Sequence, residues 1–352
     1  MSSQHASKAI ACSAPYGSGG LGQHLAQLVE QTRSAGQLSH YYSGGVKPKD
    51  PQGRKIDIPI ASWLSCTPLR YSPGWINYLG GELSDRAVAA KLSPAQEFES
   101  FGGQSLHCFR KAHQLGYQTL HLQAANSHVN NVMRQHQTAI QRFGIESSWL
   151  NNAQCRKTRR EYELADIIHV ASEYSRKSFL AEGFSPERLN RITLTIHPRF
   201  TPLQNRPDDG VFRIVYVGSV TVMKGIPILL EAFSRLPGSN IQLTLVGGWA
   251  TRGMRQYIQS WLARDPRIQI VSGDPLPHLH RANVCVHPTY EDGFAYAPME
   301  ALACGVPVVV TEDTGMKEYV QEGVNGYVVP TGNWEALLER LKACQVTKLA
   351  IS

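Results

Sequence analysis

No apolar run in these 352 residues reaches membrane-spanning length, and charged side chains make up only 18% of the chain. A spanning helix needs about 20 consecutive apolar residues, so an integral membrane protein is excluded as the starting expectation. The seven cysteines include no Cys-x-x-Cys pair, and an odd number cannot all pair within one chain. That usage fits a reducing compartment better than a disulfide scaffold. Met1 to Lys8 has no basic region followed by an apolar core. No secretory signal is read there, and the expected location is the cytoplasm. What is present is a globular composition, 42% hydrophobic, with length enough for two domains of ordinary size.

Acidic residues are scarce in one half only. Residues 1–200 hold 22 Lys and Arg against 14 Asp and Glu, a net of +8, whereas residues 201–352 hold 13 against 14, a net of −1. The excess includes Arg156-Lys157-Thr158-Arg159-Arg160 on an expected helix. Such a run serves either as a solvated face or as a dock for an anionic bilayer, where each basic residue contributes about 1 kcal/mol. The second reading places the chain peripherally at the inner face of a membrane. Nucleic acid is not an expected partner, because no aromatic platform or binding module accompanies the charge.

Pro198, Pro202 and Pro207, with Asp208-Asp209-Gly210, punctuate the middle of the chain. The expected organisation is an N-terminal domain over 1–200, a linker over 201–210 and a C-terminal domain over 211–352. In the last of these, Val211 to Gly218, Ile241 to Gly247, Ile268 to Val271, Val284 to Val286 and Val306 to Val310 read as buried strands. Helices are expected near 228–236, 252–263, 298–304 and 333–343. Short apolar strands alternating with helices imply an α/β fold with a parallel, doubly wound sheet. Ligands of such sheets sit beyond the carboxyl ends of the strands, where Gly218, Gly247 and Asp292 fall.

One of those ends carries most of the chemical information. Asp292-Gly-Phe-Ala-Tyr-Ala-Pro-Met-Glu300 reads as a glycine-containing loop feeding a helix, with Pro298 in the first turn. Amides at a helix start lack intrahelical partners and can bind hydroxyls or an anion. Glu300 can accept two hydrogen bonds from vicinal hydroxyls such as those of a ribose, and Asp292 stands at the mouth of the loop. Val284-Cys-Val-His-Pro288-Thr289 precedes the loop, and Val306 to Thr311 follows the helix. In this setting the stretch resembles the donor site of glycosyltransferase family 4, retaining enzymes that use nucleotide sugars. Their GT-B fold has two Rossmann-like domains with parallel sheets facing across a cleft. The first acid of that family is usually Glu; here it is Asp292, with Glu291 beside it. The resemblance implies that Asp292 and the amides of Gly293, Phe294 and Ala295 fix the donor sugar, while Glu300 holds the nucleotide ribose.

A second strand end fits a diphosphate. Gly218-Ser219 runs through Val-Thr-Val-Met into Lys224-Gly225-Ile-Pro227 and a helix. The resembled family has a Lys-Gly pair here and usually an Arg after the first Gly. Lys224 matches, whereas Ser219 occupies the Arg position and keeps one hydroxyl donor. A charged hydrogen bond is worth about 1.5–3 kcal/mol, so the missing cation costs tenfold or more in donor affinity. In the N-terminal half, Gly17-Ser-Gly19-Gly20-Leu-Gly22 matches G-x-G-x-x-G between a short strand and a helix. A dinucleotide domain would need an acid about 20 residues further on, yet residues 36–49 contain no Asp or Glu. The dinucleotide reading therefore fails. The resemblance instead makes Gly19 and Gly20 part of a loop whose amides approach the donor phosphate and the acceptor.

Tyr117 to Ala124 reads as a strand leading to Asn126-Ser127-His128 and a helix from Val129 to Phe143. The resemblance implies a histidine here touching the donor sugar near its anomeric carbon. His128 is that candidate, and a helix-capping histidine is the other reading. Residues 60–100, with Trp63, Tyr71, Trp75 and Tyr78, read as an irregular insertion that shapes an acceptor pocket or packs in the core. After Trp334 to Ala343 few residues remain, so the helix with which related enzymes cross back to the N-terminal domain is expected to be missing.

The expected activity is hexosyl transfer from a nucleotide diphosphate sugar, as co-substrate with no other cofactor. The acceptor hydroxyl belongs to a glycan, a lipid-linked group or a small molecule, in polysaccharide or glycolipid synthesis. His128, Asp292 and Lys224 are the expected catalytic residues. The sequence has no Asp-x-Asp pair, in keeping with the metal-independent habit of the resembled fold. A nucleotide-sugar epimerase and an inactive nucleotide-sugar-binding homologue are the alternatives, the latter suggested by Ser219.

Overall fold

The computed structural model describes residues 7–58, 66–204, 209–249 and 251–346. Trp63, residues 205–208 of the expected linker and the chain after Val346 lie outside the described residues. The chain forms two compact units. One holds the chain up to Met133 together with Trp149–Thr195; the other holds Arg134–Ser148 and the chain from Ile196 onward.

In the first unit the elements are β1 (Lys8–Pro15), α1 (Gly19–Ser34), β2 (Leu38–Gly45), β3 (Gly53–Lys55), α2 (Pro73–Lys91), β4 (Glu97–Phe101), α3 (Leu106–Gln114) and β5 (Thr119–Ala124). The helix α4 (Val129–Phe143) follows, of which only the start up to Met133 belongs to this unit, then α5 (Asn152–Leu164), β6 (Ile167–Val170), α6 (Glu173–Ala181) and β7 (Leu189–Arg191). The strands pair in parallel in the order β3-β2-β1-β4-β5-β6-β7. One face is an ordinary apolar core under Phe98, Phe109, Leu122, Ile168 and Phe179. The other carries a polar strip, set by the register Glu99↔His121 and Gln123↔His169. There Glu99 accepts from Lys8 Nζ at 2.9 Å and Gln123 Nε2 at 2.5 Å, and His121 Nδ1 lies 3.1 Å from His169 Nε2.

The described part of the expected irregular insertion, residues 66–100, is largely regular, because Pro73–Lys91 forms the 19-residue α2. Its buried positions are Gly74, Ser84, Asp85 and Val88, so no apolar stripe announces it. Tyr71 and Trp75 at its start are exposed, at 63% and 46%. The basic run on α5 is divided as well. Arg156, Arg159 and Arg160 are exposed, but Lys157 turns inward, its Nζ 2.9 Å from Glu82 Oε2 and 2.8 Å from Asp85 Oδ2.

The second unit comprises β8 (Phe212–Val217), α7 (Ile226–Ser234), β9 (Ile241–Val246), α8 (Arg252–Leu262), β10 (Ile268–Val271), α9 (Leu276–Arg281), β11 (Val284–His287), α10 (Tyr296–Ala303), β12 (Val308–Thr311), β13 (Gly326–Val329) and α11 (Trp334–Val346). Its parallel order is β10-β9-β8-β11-β12-β13. The central strands β11 and β12 are buried on both faces, as in parallel sheets generally, whereas Gln242 on β9 and Gln269 on β10 are exposed. Helix starts are set by local chemistry: Thr251 caps α8 by accepting from Met254 N at 3.1 Å, and Pro227 sits in the first turn of α7. Ala139, Ile140 and Phe143 of α4 pack into this unit's core.

Candidate active site

Strand order in the second unit reverses between β8 and β11. Doubly wound sheets hold ligands beyond the carboxyl ends of the strands at such a reversal. The loops that leave these two strands interlock. The Met223 carbonyl accepts from Tyr290 N at 2.9 Å and Thr289 Oγ1 at 3.3 Å. Gly225 has φ +72°, and a Cβ on it would lie 1.8 Å from the Pro288 carbonyl oxygen, so only glycine fits. Val220 and Val222 are fully buried, which anchors the loop just before Lys224.

Lys224 Nζ donates to Asp292 Oδ2, and His287 Nε2 lies 3.2 Å from the same oxygen. A carboxylate only accepts, so Nε2 carries the imidazole proton. The other nitrogen, Nδ1, is buried without a hydrogen-bond partner. Burial pushes the His287 pKa down against the pull of Asp292, so the ring is a neutral donor. Burial would raise the Asp292 pKa, but Lys224 and His287 outweigh it and hold the carboxyl well below the usual carboxylate range. The Tyr216 ring lies parallel to His287 with centroids 6.4 Å apart, and its hydroxyl donates to the Ser219 carbonyl at 2.7 Å. His287 was not among the residues expected from sequence. The available signal was its position at a strand end, five residues before Asp292.

The backbone of Asp292 is fixed from the side of β12: its N–H donates to Asp313 O at 3.1 Å, and Gly315 N donates to its carbonyl at 3.0 Å. Gly293 and Phe294 are buried behind it, with Phe294 edge-on to Tyr296 and Tyr319. Ala295 has φ +67° and ψ 96°, a strained conformation for a residue with a Cβ, immediately before α10. Replacing Ala295 with Gly is expected to raise the unfolding free energy by about 1 kcal/mol, read from the urea midpoint; an unchanged midpoint would show the turn to be unstrained. Glu300, one turn into α10, is 4% exposed. Gly218 directly follows β8, and Ser219 beside it is exposed.

Lys224, Asp292, Gly218, Ser219, Gly293, Phe294, Ala295 and Glu300 thus all lie at strand ends or helix starts of one unit. Gly19, Gly20 and His128 belong to the other. Gly19 and Gly20 open α1 and are exposed. His128 is a helix cap: its Nδ1 accepts from Asn130 N at 3.2 Å. Its ring centroid lies 5.0 Å from Tyr162, 5.1 Å from Phe179 and 5.7 Å from Phe184. Only 2% of the residue is exposed, and burial pushes its pKa down to about 4. The imidazole is occupied as a cap within an aromatic core. Among the described residues, Glu82, Asp85 and His107 come close enough to hold a cation, but the Lys157 ammonium already bridges the two carboxylates.

Residues 201–344, which contain every element of the Lys224–Asp292–His287 cluster, match the family described as glycosyl transferases group 1. Over that segment the chain is similar to group 1 glycosyl transferases. Among curated proteins, the capsular polysaccharide biosynthesis glycosyltransferase CapM of Staphylococcus aureus is 31% identical over 136 residues, 37% of this chain and 36% of that protein. The D-inositol 3-phosphate glycosyltransferase of Arthrobacter sp. (strain FB24) is 29% identical over 170 residues, 43% of this chain and 40% of that one. The chain therefore spans well under half the length of these curated relatives. Solved structures extend the likeness over both units. Sucrose-phosphate synthase from Thermosynechococcus elongatus superposes with TM-score 0.76 at 20% identity, over 98% of this chain and 90% of that one. Anabaena HepE in complex with UDP and glucose gives TM-score 0.70 at 15% identity, over 99% and 92%. At such identities the match establishes the architecture, two parallel α/β sheets of GT-B type.

Proposed function

We propose that this chain transfers a hexosyl group from a nucleotide diphosphate sugar to an acceptor hydroxyl, with retention of configuration and without a metal. The observation that carries this reading is the cluster of Lys224, Asp292 and His287 at the ends of β8 and β11. It puts a mobile cation and a pre-charged acceptor where a doubly wound sheet receives its ligand. The donor diphosphate draws Lys224 off Asp292, and the positive end of α7 adds to the field. As the glycosidic bond breaks, negative charge grows on the departing diphosphate, the species Lys224 stabilises most. Asp292, still held by His287, then accepts from a sugar hydroxyl beside the backbone of Gly293, Phe294 and Ala295. Glu300 takes the ribose hydroxyls. In this reading the second unit is the donor domain, and the first, with exposed Tyr71 and Trp75, meets the acceptor.

Polysaccharide or glycolipid synthesis is the proposed setting, supported by the capsular function printed for CapM. Among the described residues no helix is long and apolar enough to cross a membrane. The surface we propose for contact with a bilayer is the exposed basic face of Arg156, Arg159 and Arg160. The test is incubation of the full chain with a panel of sugar nucleotides, beginning with UDP-glucose, the ligand of one HepE structure. Slow donor hydrolysis that speeds up with an acceptor, and product of unchanged anomeric configuration by NMR, is the expected result. Binding without turnover across the panel would make the chain a sugar-nucleotide-binding protein, and interconversion of donors without acceptor would make it an epimerase.

A further inference from the structure

The segment Arg134–Ser148 belongs to the second unit, although the chain on either side of it belongs to the first. It packs closely there: Ile145 lies against the core, and a Cβ on Gly253 would come 2.1 Å from the Ile145 carbonyl oxygen. At the end of the segment stands Glu146. One of its carboxylate oxygens accepts from Val222 N at 2.5 Å, the other from Thr251 Oγ1 at 2.8 Å. Val222 is two residues before Lys224, in the loop leaving β8. Thr251 caps α8, in the loop leaving β9. Elsewhere these loops are joined by the bond from Val220 N to Gly248 O at 2.9 Å. Among the described residues no cation pairs with Glu146, and burial raises its pKa. A partly buried acid without a counter-charge is costly, and two donors from two loops are what offset that cost.

We propose that Glu146 is a positioning residue for the diphosphate end of the site: it clamps the β8 loop to the β9 loop so that Lys224 is presented to the donor. The inference rests on the proposed use of nucleotide sugars. It has a distinctive sign. On charge alone, removing an acid from the neighbourhood of a diphosphate tightens binding. If the clamp is what matters, removal weakens it.

The experiment is calorimetric titration of the full chain with inorganic pyrophosphate and with UDP-glucose, comparing wild type with E146A, E146Q and E146D. Glutamine can still accept from Val222 N and donate to the Thr251 hydroxyl. E146A is therefore expected to raise the pyrophosphate Kd about tenfold, with E146Q within about threefold of wild type. E146D folds with less disturbance, cannot span both loops, and is expected to fall between them, which keeps the test decisive if E146A does not fold. Phe143→Leu, which thins the packing of the same segment but keeps the Glu146 carboxylate and both its donors, should lower Tm and leave the Kd within about twofold of wild type. Unchanged or tighter binding by E146A, or equal losses in E146A and E146Q, would overturn the clamp. A wild-type chain that binds neither pyrophosphate nor any sugar nucleotide would instead overturn the functional reading on which the clamp rests.

Discussion

Replacing Lys224 with methionine is expected to weaken sugar-nucleotide binding by at least about tenfold and to slow transfer further still. The aliphatic stem is kept, so the buried loop of Val220 and Val222 is not disturbed, and only the ammonium is lost. A hydrogen bond to a charged group is worth about 1.5–3 kcal/mol, a factor of roughly 10 to 150. The larger part falls on the rate, because the charge Lys224 meets grows as the diphosphate departs. The exposed Ser219 supplies no replacement cation, so no redundancy softens the loss. The free protein is also destabilised, since Asp292 keeps only His287 on its Oδ2. Asp292→Asn separates the two effects. It releases Lys224 without removing the cation, so pyrophosphate affinity should hold or rise while sugar transfer falls. Pyrophosphate titration and single-turnover transfer measure the two quantities. If K224M binds pyrophosphate as wild type does, Lys224 is not the diphosphate cation.

How much of this was legible in the sequence depended on how each segment buries itself. In the second unit, runs such as Val284–His287 and Val308–Thr311 are buried on both faces, and their length and β-branched content identify them as strands. The helix over Val129–Phe143 is equally plain, and Ser172, a residue type that favours helix starts, caps α6 by accepting from Ser175 N at 3.0 Å. The first unit hides its strands. Glu97–Phe101 and Leu38–Gly45 bury Glu99, His40 and Ser43, so the apolar run that marks a parallel strand is broken. Helix α2 conceals itself through small and polar buried residues. At the site, Asp292 and Glu300 were visible through their spacing along one loop, and Lys224 through its place beside Gly225 ahead of a helix. Pairing of Lys224 with Asp292 spans 68 residues, and that of Glu146 with Val222 spans 76. No local pattern encodes such contacts; only strand order brings them together. His128 is the instructive case. Its place at a strand end suggested chemistry, but the rings of Tyr162, Phe179 and Phe184 around it come from distant positions.

Acidification from pH 6.5 to 4 is expected to destabilise both units steeply, more than any single substitution. Burial pushes the pKa of His24, His40, His128 and His169 down to about 4 and that of His136 to about 3, with His121 and His287 also lowered. A free histidine titrates near 6.5, so below that pH the unfolded chain binds protons that the folded chain refuses. Stability contributed by these neutral rings is fully present above about 6.5 and is lost as pH falls through the folded values. His24 and His136 are almost wholly buried, at 4% and 2% exposed, and each contributes on the order of 3–5 kcal/mol across that window. A whole domain is stable by about 5–15 kcal/mol, so two such groups decide the outcome. Glu161 works the other way: burial raises its pKa to about 7, so its share is present at low pH and lost as pH rises through 7. One carboxyl does not offset seven histidines. Urea midpoints measured between pH 7.5 and 4.5 should fall throughout the acid half of that range. His24→Gln should flatten the fall for the first unit and His136→Gln for the second, because each belongs to a different one. A midpoint independent of pH would mean that the buried imidazoles are charged in the fold. In that case His287 would reach Asp292 as a cation and not as a neutral donor.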